Sequence, residues 1–212
     1  ITFPEGISSF EMDDILTAAG VVRRGQFAAS AAHAGAEGML FPDTYEIFAD
    51  ELPERIVSRM LEHFTQKTAS VLPIDVLKSR ETLIVASLLE KEVSSVQDQR
   101  LVAGLINRRQ RAGIALQIDA TLCYIKRVTK SQGCYPLSAL DFSLDSPYNT
   151  YLYKGLPPAP IGNPGIAAIM AALQPVPSEY LFYLSDPETG KTIFSQTFEE
   201  HKKNRARYLL NT

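Results

Sequence analysis

Apolar side chains recur at helical spacing along much of this chain, and the interruptions divide it into segments. Met12, Ile15, Leu16 and Ala19 follow Ser9, a residue type that caps helices, and Gly20 supplies a stop. The spacing predicts a helix from Ser9 to Ala19, with a second from Arg24 to His33. Ile1 to Pro4 reads as extended, as does Gly38 to Pro42 with Thr44, Tyr45, Ile47 and Phe48 after it. The first fifty residues therefore read as strand, helix, helix, strand.

From Leu52 the pattern turns helical. Pro53-Glu54-Arg55 suits a first turn, and Ile56, Met60, Leu61 and Phe64 form an apolar stripe behind it. Pro73 is expected to open a short helix, Glu81 to Val96 a long one, and Asp98 to Arg111 another that Gly113 ends. Leu116 to Thr121 alternates polar and apolar positions and reads as an extended cleft wall. Beyond it lie Pro136, Pro147, Pro157, Pro158, Pro160, Pro164, Pro175 and Pro177, interleaved with aromatic residues. Proline at this density usually marks a linker, but the aromatics point to an ordered surface of turns. Ile166 to Leu173 is helical. Tyr180 to Leu184 and Thr192 to Phe194 form a hairpin, and Glu199 to Leu210 is a last helix. The fold class is α+β: a small βααβ unit over 1–50, then a mainly helical domain over 51–212 with short strands and a Pro/aromatic-rich loop region.

Composition narrows the function. Of 212 residues, 45% are hydrophobic, enough for a substantial core without metal or disulfide support. Lys+Arg is 21 against Asp+Glu 24, a net charge of −3, which argues against a nucleic-acid partner. No apolar run approaches the ~18 residues of a membrane span. Residue one is Ile rather than Met and the opening residues contain no basic n-region or small-residue cleavage site, so the chain reads as a piece trimmed from something longer. Cys123 and Cys134 match no zinc or redox spacing. They are either two buried thiols, the commoner case, or a disulfide of an oxidising compartment.

Several chemistries are absent. His33, His63 and His201 lack metal-ligand spacing, and no G-x-S-x-G elbow is present. Gly190-Lys191-Thr192 resembles the end of a P-loop, but Ser185 replaces its first glycine and two acids lie within the loop. No metal or cofactor is expected.

One carboxylate stands out. On the Glu81–Val96 helix, Val85, Leu88, Leu89 and Val96 share a face, and Glu92 falls in its middle. Glu90 projects with Ser87 and Ser94 on the polar side. An acid on an apolar face must be paired, neutral, or exposed to a cleft. An ion pair with Arg100 or Arg108 is the structural reading. A desolvated general acid is the functional one. Ser146-Pro-Tyr-Asn-Thr-Tyr151 and Gly155 to Gly165 gather rings, amides and hydroxyls that suit a polyhydroxylated ligand such as a glycan; rings packed on prolines explain them equally well. The basic runs Arg108-Arg109-Arg111 and Lys202-Lys203-Arg205 read as solvated helix faces.

Taken together, these stretches resemble the endolytic murein transglycosylase (YceG-like) family. The matches run in order: Glu37-Gly38 with Phe41 to Tyr45, Ala86 to Glu92, Val102 to Arg108, Leu116 to Asp119, Ser146 to Tyr151, Gly155 to Pro160, Asn163-Pro164-Gly165, Phe194-Ser195 and Glu200-His201. The resemblance implies a LysM-like subdomain over 1–50 and a catalytic domain over 51–212. It implies cleavage of the MurNAc–GlcNAc bond within peptidoglycan strands, with Glu92 catalytic and 1,6-anhydroMurNAc ends left behind. It further implies an enzyme at the extracytoplasmic face, held by an anchor upstream of Ile1, that terminates nascent strands beside peptidoglycan synthases. By motif position, the residues expected at the substrate are Glu37, Gln117, Asp119, Tyr148, Asn149, Thr150, Tyr151, Asn163, Ser195 and His201.

The chain departs from the family at Ala120, where a proline is usual, and at Thr192, where a histidine is frequent. Two rival readings stay open: a muramidase in which Asp119 handles water, and a non-catalytic wall-binding module. A pyridoxal-phosphate lyase would need a phosphate cup, and no Gly-rich cup is present.

Overall fold

The computed structural model describes residues 1–72, 75–130 and 134–209. Its elements run α1 (Ser9–Ala18), α2 (Gln26–His33), α3 (Pro53–Thr68), α4 (Val76–Glu92), α5 (Val96–Arg111), α6 (Asp119–Lys130), α7 (Ala139–Phe142), α8 (Ile166–Leu173), β1 (Phe182–Ser185), β2 (Thr192–Ser195) and α9 (Phe198–Leu209). Mixed helices and one two-stranded sheet fit the α+β expectation. In the sheet, antiparallel β1 and β2 pair Tyr183 with Phe194.

The opening unit has its two helices but hardly any sheet. Its extended segments meet at a single bridge, Thr2 to Thr44, flanked by Phe3 N–H to Asp43 O and Tyr45 N–H to Ile1 O. Ser8, not Ser9, caps α1, in a reciprocal box with Glu11. Helix α2 starts at Gly25, which has no side chain to cap with. The buried carboxylate of Asp13 supplies the acceptors instead, from Gly25, Phe27 and Ala28 N–H groups. Phe3, Met12, Leu16, Phe27 and Leu40 make the unit's core, and Ile56 and Met60 of α3 complete it, so this core continues past residue 50.

A second core joins Val85, Leu88 and Leu89 of α4 to Val102 and Ile106 of α5, Ile118, Ile161 and Ala171. A smaller cluster of Phe41, Phe64, Leu83, Ala86 and Ile169 links the two. Helix α5 packs so closely on the 174–178 segment that a Cβ on Gly104 would fall 1.9 Å from Val176 O.

Four expectations need correction. The helix expected over 81–96 begins at Val76, capped by Asp75, and ends at Glu92 because Val93 is extended. Val96 therefore starts α5 and is exposed rather than sharing the Glu92 face; Pro73 lies outside the described residues. Leu116 to Thr121 is not one extended wall, since α6 begins at Asp119. Ser87 is buried: its hydroxyl donates to Ile84 O and accepts from Ile161 N–H. Cys123 and Cys134 are joined in a disulfide, their Cα atoms 4.5 Å apart, rather than being two thiols. Lys126 on α6 brings the second cysteine there, donating to Cys134 O at 2.7 Å while paired with buried Asp141.

Candidate active site

Glu92 is the last residue of α4, whose buried flank fixes the direction of its side chain. The residue is partly exposed, yet its carboxyl is densely surrounded. Burial raises its pKa above the ordinary carboxylate value, and neighbouring Asp119 pushes the same way. Two donors oppose that rise: Tyr183 Oη at 2.8 Å from Oε2, and the backbone N–H of Ala120 in the first turn of α6. An acid so placed holds its proton readily, and its anion finds two donors once the proton has gone. The expected ion pair does not form. Arg100 and Arg108 donate to the carbonyls of Gln174 and Ser178.

Asp119 stands beside it and accepts a hydrogen bond from Tyr151 Oη. Gln117 precedes it in left-handed backbone (φ 55°), its side chain exposed. That bend is held by Gln117 N–H to Thr150 O at 3.0 Å and Ile118 N–H to Thr150 Oγ1 at 2.9 Å.

Arg109 is buried rather than part of a solvated face. It donates to Leu181 O at 2.6 Å and to Ala115 and Leu116 carbonyls, and stacks on Phe182. One side chain thus ties the β1 approach to the Leu116 wall. Helical spacing could have found it, since Arg109 lies seven residues after buried Val102 and three after Ile106. Nothing local marked Tyr183, which reaches Glu92 only through the tertiary fold.

Glu90 is no solvent-facing partner of this pair. Burial raises its pKa, and its carboxylate accepts from Gly165 N–H at 3.0 Å, holding the loop before α8. Lys91 pairs with Glu11 of α1.

The residues expected at the substrate separate into three groups. Glu92, Asp119 and Tyr151 come together, and Gln117 is exposed two residues before Asp119. Glu37 and Tyr148 line a second groove, of ≈ 910 Å³, whose walls include Phe10, Phe64, Arg80, Leu83 and Tyr124. There Glu37 accepts from Ser9 N–H and Oγ and from Asn163 Nδ2, and burial pushes its pKa up to about 7.

The remaining five make contacts within the protein. Asn149 is sealed, its amide donating to Phe142 and Leu144 carbonyls. Thr150 and Ser195 are likewise buried, the latter accepting from Asn204. Asn163 binds four groups of the N-terminal unit: Gly38 N–H, Leu40 N–H, Ile7 O and Glu37. His201 stacks behind the hairpin on Phe182, and burial lowers its pKa. These groups shape the walls. Thr192, at the position of the family's frequent histidine, donates to Asp98 and ties β2 to α5. Among the described residues no cluster of His, Cys, Asp or Glu could hold a metal ion, and no helix is long and apolar enough to cross a membrane.

Comparison with known proteins places this arrangement in context. The chain is 32% identical over 177 residues to a protein of Bacillus subtilis named endolytic murein transglycosylase, covering 82% of this chain and 48% of that protein. A Streptococcus pneumoniae protein of the same name is 30% identical over 177 residues, 82% of this chain and 32% of its own length. This chain therefore spans about half the length of one relative and about a third of the other. A crystal structure of a YceG-like protein from Listeria monocytogenes superposes with a TM-score of 0.78 at 28% identity, covering 96% of this chain and 75% of that one. The model of the YceG-like family matches residues 1–207. With sequence, fold and near-complete coverage in agreement, the chain belongs to the YceG-like family.

Proposed function

We propose that this chain is the catalytic part of an endolytic lytic transglycosylase, cutting the MurNAc–GlcNAc bond inside peptidoglycan strands and leaving 1,6-anhydroMurNAc ends. The observation that carries the reading is Glu92: a desolvated carboxyl with donors from Tyr183 and Ala120. Its relatives' name supplies the substrate.

Two proton transfers through one carboxyl balance the reaction. Protonated Glu92 gives its proton to the glycosidic oxygen, and the bond to the anomeric carbon breaks. Asp119, beside it, faces the positive charge that develops on the sugar. The Glu92 carboxylate, steadied by Tyr183 Oη and Ala120 N–H, then takes the proton of the muramic C6 hydroxyl as that oxygen closes on the anomeric carbon. Water is not consumed, Glu92 is restored, and the intramolecular attack has high effective molarity. Gln117 is exposed at the rim and suits a hydrogen bond to a sugar.

Residues 1–50 act as a LysM-like glycan-holding unit, and Glu37 and Tyr148 face the groove beside it. The Cys123–Cys134 disulfide accords with an extracytoplasmic site, where such bonds persist. An anchor upstream, synthases as partners and termination of nascent strands complete the reading. The test is end-group chemistry. Glycan strands incubated with the protein should acquire anhydro ends by mass spectrometry; reducing ends would favour the muramidase, with Asp119 directing water.

A further inference from the structure

Beside Glu92 a second hollow opens, of ≈ 380 Å³, near the lower end of the ~300–1,000 Å³ typical of ligand pockets. It begins at Ala120, whose N–H reaches Glu92, and at Lys91, the residue before it. It ends at Asp14 and Arg127 against α1. The disulfide and Ile161 form part of its wall. Tyr124 stands between this hollow and the larger groove, and Tyr135 is exposed at the mouth, within electrostatic reach of both Glu92 and Asp119.

Its lining differs in kind from a sugar site. A neutral sugar is held by amides, hydroxyls and ring faces. This hollow instead carries two ion pairs. Lys91 meets Glu11 at 3.4 Å, and Arg127 meets Asp14 while also donating to Phe10 O. Arg127 Nε is enclosed without an acceptor. All four charged side chains remain partly exposed, so each pair is weak and can exchange its partner for a ligand's charge. The four charges cancel, so an ion of one sign is not favoured. The complementary ligand carries carboxylates and an amine on one short scaffold.

Resting on the proposed reading of the cleft, we infer that this hollow receives the peptide stem of the muramic acid residue whose bond is cut. The stem hangs from the same ring as the scissile anomeric carbon, so a ring positioned over Glu92 delivers it to the adjoining hollow. Lys91 and Arg127 face its carboxylates, and Glu11 and Asp14 face a diamino-acid amine. Tyr135 covers the peptide's first residues. The enzyme so built distinguishes stem-bearing strands from stripped ones.

The experiment compares glycan strands with intact stems against the same strands stripped by an amidase, using wild type, Lys91→Met and Arg127→Gln. A parallel arm measures binding of the free stem tetrapeptide to each protein by calorimetry. Wild type should cut stemmed strands at about tenfold higher kcat/KM than stripped ones. Lys91→Met should cut that preference severalfold, chiefly through KM, and weaken tetrapeptide binding to match. Lys91 lies on the surface, so its variant tests the inference even where Arg127→Gln loosens the fold. Equal cleavage of both strands, or a preference that survives Lys91→Met, overturns the peptide pocket and leaves the cleavage reading standing. If neither strand is cut, the cleavage reading fails, and the calorimetric arm then decides the pocket: binding lost in Lys91→Met upholds it and no binding to wild type overturns it.

Discussion

Tyr183 Oη donates a hydrogen bond to Glu92 Oε2 across 2.8 Å, joining the hairpin to the end of α4. This bond favours the carboxylate and so opposes the rise that burial imposes. Tyr183→Phe removes it without emptying the site. The Glu92 pKa should rise further, moving the alkaline limb of the activity–pH profile upward, because the proposed first step needs the protonated acid. Loss of a hydrogen bond to a charged group, about 1.5 kcal/mol, should lower kcat about tenfold where anion formation limits the rate. A pH–rate comparison of the two proteins checks both.

Ala120 provides a separate test of the same carboxyl. A proline at this place, early in α6, can enter the first helical turn but has no N–H to give Glu92. Ala120→Pro should again shift the alkaline limb upward, with the far-ultraviolet spectrum unchanged. A limb that moves downward would mean that the Ala120 donor does not act on Glu92.

Glu37 should make folding depend on pH. Its pKa rises from 4.5 to about 7 in the folded protein. Between those values the folded state holds a proton that the unfolded chain has released. Stability from this group is thus full below about 4.5, falls as pH climbs through the window, and is lost above 7. The linkage amounts to about 3 kcal/mol. Urea unfolding at pH 5 and pH 8 should reveal a drop of that order in the wild type and a much smaller one in Glu37→Gln.

Asn163 should matter for stability. Fully buried, it accepts from Gly38 and Leu40 N–H groups and donates to Ile7 O and Glu37. Asn163→Ala strands buried donors and should cost about 3–5 kcal/mol, read from denaturant midpoints at constant slope. A loss under about 1 kcal/mol would mean that water replaces the amide.

Elements whose signal is local were legible in the chain. Ile166 to Leu173 is helical over the expected range, and the hairpin lies where its turn residues put it. Glu92 was visible because four residues back along α4 is Leu88, and three back is Leu89, both buried. What escaped is decided at a distance. Ser87 and Glu90 looked solvent-facing because helix periodicity cannot foresee that the Ile161 and Gly165 backbone will cover them. Asp13 capping α2, Tyr183 reaching Glu92 and Cys134 meeting Cys123 all depend on which segments the cores bring together. Asn149 and Asn163 illustrate a different limit: a motif indicates that a residue matters, not whether it holds ligand or backbone.

In the proposed mechanism the Glu92 carboxyl carries both proton transfers, and the cleavage rate of Glu92→Gln on glycan strands tests this at the reacting group itself. The amide keeps the size of the side chain and can neither give nor take the proton. The rate should lie at least about 1,000-fold below wild type, with unchanged thermal unfolding. A variant that still cuts within tenfold of wild type would contradict it.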